Sequence, residues 1–331
     1  MDTLVQNMIQ KAIGGGVITH IDVVQTLWEG YGKLYRLSLK DSQFQTVIAK
    51  HILWPEHKQK KKGRRAPFDR SHQRKVRSYQ VEMQWYGKWS WRCDQNCRVP
   101  RYLLGEKVHG GILLVLEDLD DSGFPQRKRK ASVNDAKTCL NWLAHFHARF
   151  MGEKPEGLWK TGTYWHLATR PDELKKLDDC NLRNAASQID WKLRSTQYQT
   201  FVHGDAKLAN FCFSRDGKHV AAVDFQYVGG GCGMKDVAYL IGSCFSDNEA
   251  ERLEKELLDY YFKSLRAALV NNNYEGDVNI LVEDWRSLYP VAWTDFYRFM
   301  KGWMLDSWPA ACYSERIAKK VIHSLTHPKR C

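Results

Sequence analysis

No run of roughly 18 or more apolar residues occurs in this 331-residue chain, so no membrane-spanning helix is expected. Its first residues, Met1-Asp2-Thr3-Leu4-Val5, lack the basic segment and apolar run of a secretory leader, and none is expected. Cysteine offers no scaffold either. There are nine cysteines at irregular positions, an odd number, and Cys93-x3-Cys97 lacks the second pair a zinc ribbon needs. The thiols are read as reduced and the compartment as cytoplasm. Internal repeats are missing, as is any motif that interleaves aromatic with basic residues, so a nucleic-acid partner is not expected. Acidic residues are outnumbered, 38 against 50 Lys and Arg, for a formal net charge of +12.

Much of that excess is local. Lys58, Lys60, Lys61, Lys62, Arg64 and Arg65 are followed by Arg70, Arg74, Lys75 and Arg77, and a second knot is Arg127-Lys128-Arg129-Lys130. A solvated loop with the exposed face of a helix is the plain reading; attraction of a polyanion is the other. Hydrophobic content of 43% and charged content of 27% are ordinary for a globular chain. The length suits one large or two modest domains. Oligomeric state is not encoded in any of this.

Residues 17–28, 34–40 and 45–53 read as strands around the turn Glu29-Gly30-Tyr31-Gly32-Lys33. A helix follows over 71–91, with Tyr79, Glu82 and Tyr86 on one face. Two more strands are expected near 99–105 and 112–119. From about Ser132 the pattern turns helical, with Leu140, Leu143 and Phe150 on one face and long helical stretches over 247–270 and 281–305. This is an α+β chain in two lobes: a five-stranded antiparallel lobe with one main helix, and a larger, mostly helical lobe. The expected units are 1–118 and 119–331.

The most informative stretch is His203-Gly204-Asp205-Ala-Lys207-Leu-Ala-Asn210, followed by Val223-Asp224-Phe225-Gln226. An Asp with an Asn five residues on, then an Asp-Phe at a strand end, is how kinases place a base and two magnesium ligands around a γ-phosphate. Asp205 could accept a hydroxyl proton; Asn210 and Asp224 are hard oxygen ligands that suit magnesium. His203 reads as a brace for the loop. Lys207 could lie on the γ-phosphate. That chemistry asks for a lysine upstream, and Lys50 stands in the strand Thr46-Val47-Ile48-Ala49-Lys50, suited to the α- and β-phosphates. The lysine in turn needs an acid, and Glu82, an odd tenant of an aromatic helix face, answers that need. Leu113 to Leu119 ends where a hinge belongs, so ATP would hold its adenine on backbone groups near Glu117 and Leu119 with Leu116 behind it. Gly30 and Gly32 sit where a phosphate-covering turn would be. His145-x-His147 falls on different faces of a helix and makes no metal pair.

Together these residues resemble the aminoglycoside-phosphotransferase and choline-kinase superfamily of small-molecule kinases, and within it the ecdysteroid-kinase-like group. The resemblance runs from about Lys50 to Trp303 and implies a bilobal protein kinase-like fold, with ATP and Mg as cofactors and a small hydroxylated molecule as acceptor. It further implies that Asp236, in Lys235-Asp236-Val237-Ala238-Tyr239-Leu240, braces the catalytic loop and that the helix Asp295-Phe-Tyr-Arg298-Phe-Met-Lys-Gly302-Trp303 lines the substrate side. Two departures stand out: Lys207 resembles protein serine/threonine kinases, and Trp308-Pro309 stands where a histidine is expected. The alternatives are a protein serine/threonine kinase and a non-catalytic nucleotide-binding scaffold. Only 12 positions separate Asp224 from Asp236, too few for the segment on which a peptide substrate lies. A scaffold has no reason to retain Asp205, Asn210 and Asp224 together.

Overall fold

Alternation of side chains sets up the first sheet. In the computed structural model, which describes residues 3–54, 68–304 and 312–327 apart from the side chains of Phe68 and Asp69, five strands pair antiparallel: β1 (Val17–Thr26), β2 (Gly32–Lys40), β3 (Thr46–Leu53), β4 (Tyr102–Val108) and β5 (Gly111–Glu117). Their order is β1-β2-β3-β5-β4. One face of β3, carrying Val47 and Ala49, packs with Leu37, Leu113 and Val115 beneath helix α1 (Thr3–Ala12). The sequence reading gave no helix here. Val5, Ile9 and Ile13 of this N-terminal segment are buried on the sheet, and it is that sheet face that gives so short an apolar stripe a place to dock.

The other face of β3 meets helix α2 (Phe68–Gln84). Tyr79 packs there with Leu27, Tyr31, Ile52 and Ile112, which sets the α2 stripe against the sheet and turns Glu82 toward Lys50. A π-helical turn (Trp85–Trp89) then ends α2 and buries Trp85, Tyr86 and Trp89. The basic residues Lys58, Lys60, Lys61, Lys62, Arg64 and Arg65, and the pair Trp308-Pro309, lie outside the described residues.

The second lobe is built on α3 (Val133–Arg149), α4 (Pro171–Lys176), α5 (Cys180–Ser195), α6 (Met234–Cys244), α7 (Asp247–Asn271), α8 (Val278–Trp303) and α9 (Cys312–Thr326). Helix α3 starts at a reciprocal cap in which Ser132 Oγ accepts from the Asp135 amide and Asp135 accepts from the Ser132 amide. Alternation cannot announce strands of three residues, and four of them interrupt the helices. β6 (Thr200–Val202) pairs with β9 (Gly229–Gly231), and β7 (Phe211–Phe213) with β8 (Val220–Ala222). Their ends carry the two loops that matter, 203–210 and 223–226. Phe225 joins the lobes: its ring stacks on Trp85 at 4.6 Å and meets His203 at 4.5 Å.

Candidate active site

Lys50 projects from β3 onto Glu82 of α2, with Nζ donating to Oε2 at 2.7 Å. Asp224 Oδ1 lies 3.7 Å from the same ammonium. Burial alone would drive the proton off Lys50, but Glu82 and Asp224 hold it and raise its pKa above the usual lysine range. Burial likewise pushes the Glu82 carboxyl up, opposed by Lys50. Strand alternation and the helix stripe thus bring together two side chains 32 positions apart.

The loop after β6 folds back on its own aspartate. Asp205 Oδ2 accepts from Lys207 Nζ and from Asn210 Nδ2, each at 3.0 Å, and Asn210 Nδ2 also reaches the Asp205 carbonyl at 2.7 Å. Tyr239 of α6 donates to Asp205 Oδ1 at 3.1 Å. Burial raises the Asp205 pKa, with Lys207 pulling the other way. His203 is fully enclosed, donates from Nε2 to the Val223 carbonyl at 3.0 Å and accepts the Asp205 amide on Nδ1 at 3.2 Å. Burial lowers its pKa, so the ring is neutral and ties the two loops together. Gly204 must be glycine. Its φ is +81°, and a Cβ there would stand 2.1 Å from the Tyr227 carbonyl oxygen.

Asp236, at the start of α6, underpins this loop. Its carboxylate accepts from the His203 amide at 2.6 Å, the Gly204 amide at 3.0 Å and His147 Nε2 at 3.2 Å. His147 in turn meets the Tyr261 hydroxyl through Nδ1 at 2.8 Å. Thus His147 is spent on the brace, and among the described residues no group of three or more His, Cys, Asp or Glu is placed to hold a metal.

Asp224 is built differently. Its backbone sits at φ +68°, a left-handed conformation that costs a non-glycine residue about 1 kcal/mol or more. Its Oδ1 is buried without a hydrogen-bond donor. A carboxylate oxygen that receives no hydrogen bond, lies 3.7 Å from an ammonium and is held by a strained backbone fits a cation ligand. Asn210 fits beside it, because its amide nitrogen is committed to Asp205 and only its carbonyl end remains for a cation. Magnesium takes few protein ligands and fills its shell with water and phosphate oxygens, so two such residues suffice.

At the hinge the side chains are structural. Glu117 is gripped by Arg98 Nη2 at 2.6 Å and by the Arg101 amide at 2.7 Å. Asp118 is buried between Arg36 Nε at 2.5 Å and Thr46 Oγ1 at 2.9 Å. Leu116 is buried, and Leu119 packs against Cys212 and Ala221 of the second lobe. The Leu119 carbonyl accepts the Phe124 amide at 2.8 Å. Gly30 and Gly32 both take positive φ in the β1–β2 turn, and a Cβ on Gly32 would stand 2.0 Å from the His51 carbonyl oxygen. Close approach to β3 is therefore what keeps Gly32 a glycine.

Several residues near Asp205 carried no signal in the sequence. Tyr164 follows Thr163, whose φ is +91°, and its amide donates to the Gly204 carbonyl at 3.1 Å. Its ring lies 5.7 Å from that of Tyr239 and 5.9 Å from that of Tyr227. Arg170 lies over the Tyr164 ring at 5.9 Å, and Arg74 of α2 donates to the Thr169 carbonyl at 3.2 Å. The late helix reaches this wall through Asp295 and Phe299. Asp295 accepts from Trp165 Nε1 at 3.2 Å and from Arg298 Nη2 at 2.8 Å, and the Phe299 ring meets Tyr164 edge-on at 5.3 Å. Trp285, Tyr289, Trp293 and Tyr297 are buried in the core, while Trp303 is half exposed. Only local patterns were legible; these meetings are long-range.

Residues 159–274 match the ecdysteroid kinase-like family. No curated protein sequence matches the chain at a significant level. Among solved structures, an ethanolamine kinase from Plasmodium vivax is 12% identical, with 93% of this chain and 85% of that one covered at a TM-score of 0.50. An aminoglycoside phosphotransferase from Streptomyces rimosus is 16% identical, covering 88% of this chain and all of its own at 0.49. A choline/ethanolamine kinase family protein from Mesorhizobium loti is 13% identical, with 98% and 96% covered at 0.41. Residues 159–274 thus resemble the ecdysteroid kinase-like family, and the chain as a whole has a bilobal kinase-like fold shared with the ethanolamine kinase.

Proposed function

We propose that this chain is an ATP-dependent phosphotransferase that moves the γ-phosphate onto a hydroxyl of a small molecule. The observation that carries the reading is the meeting of the Lys50–Glu82–Asp224 charge set with the Asp205–Lys207–Asn210 cluster, Asp224 feeling the charge of both Lys50 and Lys207. Neither set is explained by stability alone: buried ions are costly unless they do something else. The ecdysteroid kinase-like match and the small-molecule kinases among structures of similar fold point the same way.

In this reading Asp205 orients the acceptor hydroxyl and takes its proton as the acceptor oxygen bonds to the γ-phosphorus and the bond from that phosphorus to the bridging oxygen of ADP breaks. Lys207, paired with Asp205 Oδ2 at 3.0 Å, would face the γ-phosphate. Lys50, fixed by Glu82, meets the α- and β-phosphates. Asn210 and Asp224 would hold magnesium, which would offset the negative charge of the phosphates. Adenine rests on Leu116, against backbone groups near Glu117 and Leu119, and the Gly30–Gly32 turn covers the phosphates. The lobes 1–118 and 119–331 close this cleft, in a protein of the cytoplasm.

Between Asp224 and Asp236 the chain pairs as β9 with β6, which leaves little backbone for laying out a peptide substrate and favours a small acceptor. The decisive experiment is a screen of hydroxylated metabolites and sterols for ATP-dependent phosphorylation, run beside Asp205→Asn. Turnover should fall by about 10² or more in that variant with Mg–ATP affinity kept. Unchanged turnover would remove Asp205 from the chemistry.

A further inference from the structure

A groove of about 720 Å³ bordered by Trp91, Asp94, Arg149 and Tyr274 has a charge pair closed within it, Arg149 Nη2 to Asp94 Oδ2 at 2.5 Å. Lys75 is the opposite case. It lies seven residues before Glu82, two turns along the same face of α2, and is half-buried. Its Nζ stands 5.6 Å from the centre of the Tyr79 ring, which also carries Lys50 Nζ at 5.3 Å. No carboxylate closes an ion pair with it among the described residues.

The charges around Lys75 are mixed. Asp224 and Glu29 attract the ammonium, whereas Lys50 and Arg170 oppose it, and burial lowers its pKa. A half-buried ammonium that two carboxylates attract without closing an ion pair among the described residues, and that two cations oppose, gains from a ligand that brings further negative charge. The surroundings say where that charge would lie. Glu29 belongs to the β1–β2 turn, and that turn is tied to α2 through the Tyr31 hydroxyl on His72 Nδ1 at 2.6 Å. Lys75 therefore lies near Lys50 on the α2 side, between Asp224 and the glycine turn that carries Glu29.

We propose that Lys75 is a third phosphate-binding lysine, which contacts the terminal phosphate of the nucleotide from the α2 side. Lys50 serves the inner phosphates and Lys207 approaches from the catalytic loop, so the last phosphate is held from both lobes. This site rests on the nucleotide reading above and adds to it a residue that discriminates triphosphate from diphosphate. A merely structural lysine would not distinguish nucleotides by phosphate number.

The test compares binding of Mg–ATP, Mg–ADP and AMP to the wild-type protein, Lys75→Met and Lys75→Arg by calorimetry, with thermal unfolding of each. Lys75→Met should lose about tenfold or more in ATP affinity, as expected for one charge-assisted contact. It should change ADP affinity less than about threefold and leave AMP binding and the melting temperature essentially unaltered. Lys75→Arg should recover most of the ATP affinity. Equal losses for all three nucleotides, or unchanged ATP affinity in Lys75→Met while the wild type binds ATP, would overturn this site alone. A wild-type protein that binds no Mg–ATP would overturn the proposed function together with it.

Discussion

Two aspartates 12 positions apart are built to opposite specifications. Asp236 is fully buried, and its carboxylate is engaged by two backbone amides and a histidine. Asp224 sits in a left-handed backbone conformation with a buried oxygen that receives no hydrogen bond. Where every lone pair is answered by the chain, the residue holds the fold. Where the chain leaves an oxygen without a hydrogen bond and strains the backbone to present it, with the Lys50 ammonium 3.7 Å away, the residue is available to a ligand. Lys50 with Glu82 lies between these extremes, since the pair is closed yet leans on Asp224.

The largest effect should come from breaking that intermediate case. Glu82→Ala strands the Lys50 ammonium and should cost about 3–4 kcal/mol in denaturant unfolding. The Lys50→Ala, Glu82→Ala double variant should be little worse than either single one. Additive losses would show that the two side chains act apart.

Next comes Asp236→Ala, which leaves two buried amides and His147 without their acceptor. A loss of about 3 kcal/mol is expected, read as a lower midpoint of unfolding. A loss below about 1 kcal/mol would erase the distinction between the two aspartates.

Asp190 extends the answered class and supplies a pH test. Burial would raise its carboxyl, but hydrogen bonding and charge from His166, with Lys235 and Arg194, hold it at about 2. A depressed folded pKa stabilises the protein above the unfolded value near 3.9 and is lost as pH falls toward 2. That is about 2 kcal/mol at neutral pH. The stability gap between wild type and Asp190→Asn should therefore narrow as pH drops from 5 toward 3. A gap that is constant with pH would contradict it.

The smallest effect on stability belongs to Asp224→Asn. Asparagine tolerates the left-handed conformation, so the fold should change by less than about 1 kcal/mol. Magnesium-dependent ATP affinity should nevertheless fall. A variant that unfolds readily but binds Mg–ATP normally would turn the comparison around.

The sequence was legible wherever the chemistry is carried by neighbours along the chain. Asp205, Lys207 and Asn210 fall within one short loop, and strand alternation with a helix stripe was enough to point Lys50 and Glu82 at each other. The three-residue strands β6 to β9 are too short for any period to register. Helix α1 was missed because its stripe of Val5, Ile9 and Ile13 acquires meaning only against the sheet.

By itself, then, the chain determined the spacing of its reactive groups, because spacing within a loop or along one face of a helix is set by local geometry. Only the tertiary structure decided that Tyr239 of α6 would donate to Asp205 and that Tyr164 would clasp Gly204. It likewise decided that Lys75 would lie among mixed charges, with Asp224 and Glu29 against Lys50 and Arg170, and close no ion pair among the described residues. Such contacts join positions tens of residues apart, and their energies depend on burial and on which groups are left unpaired. No local pattern carries that information; packing creates it.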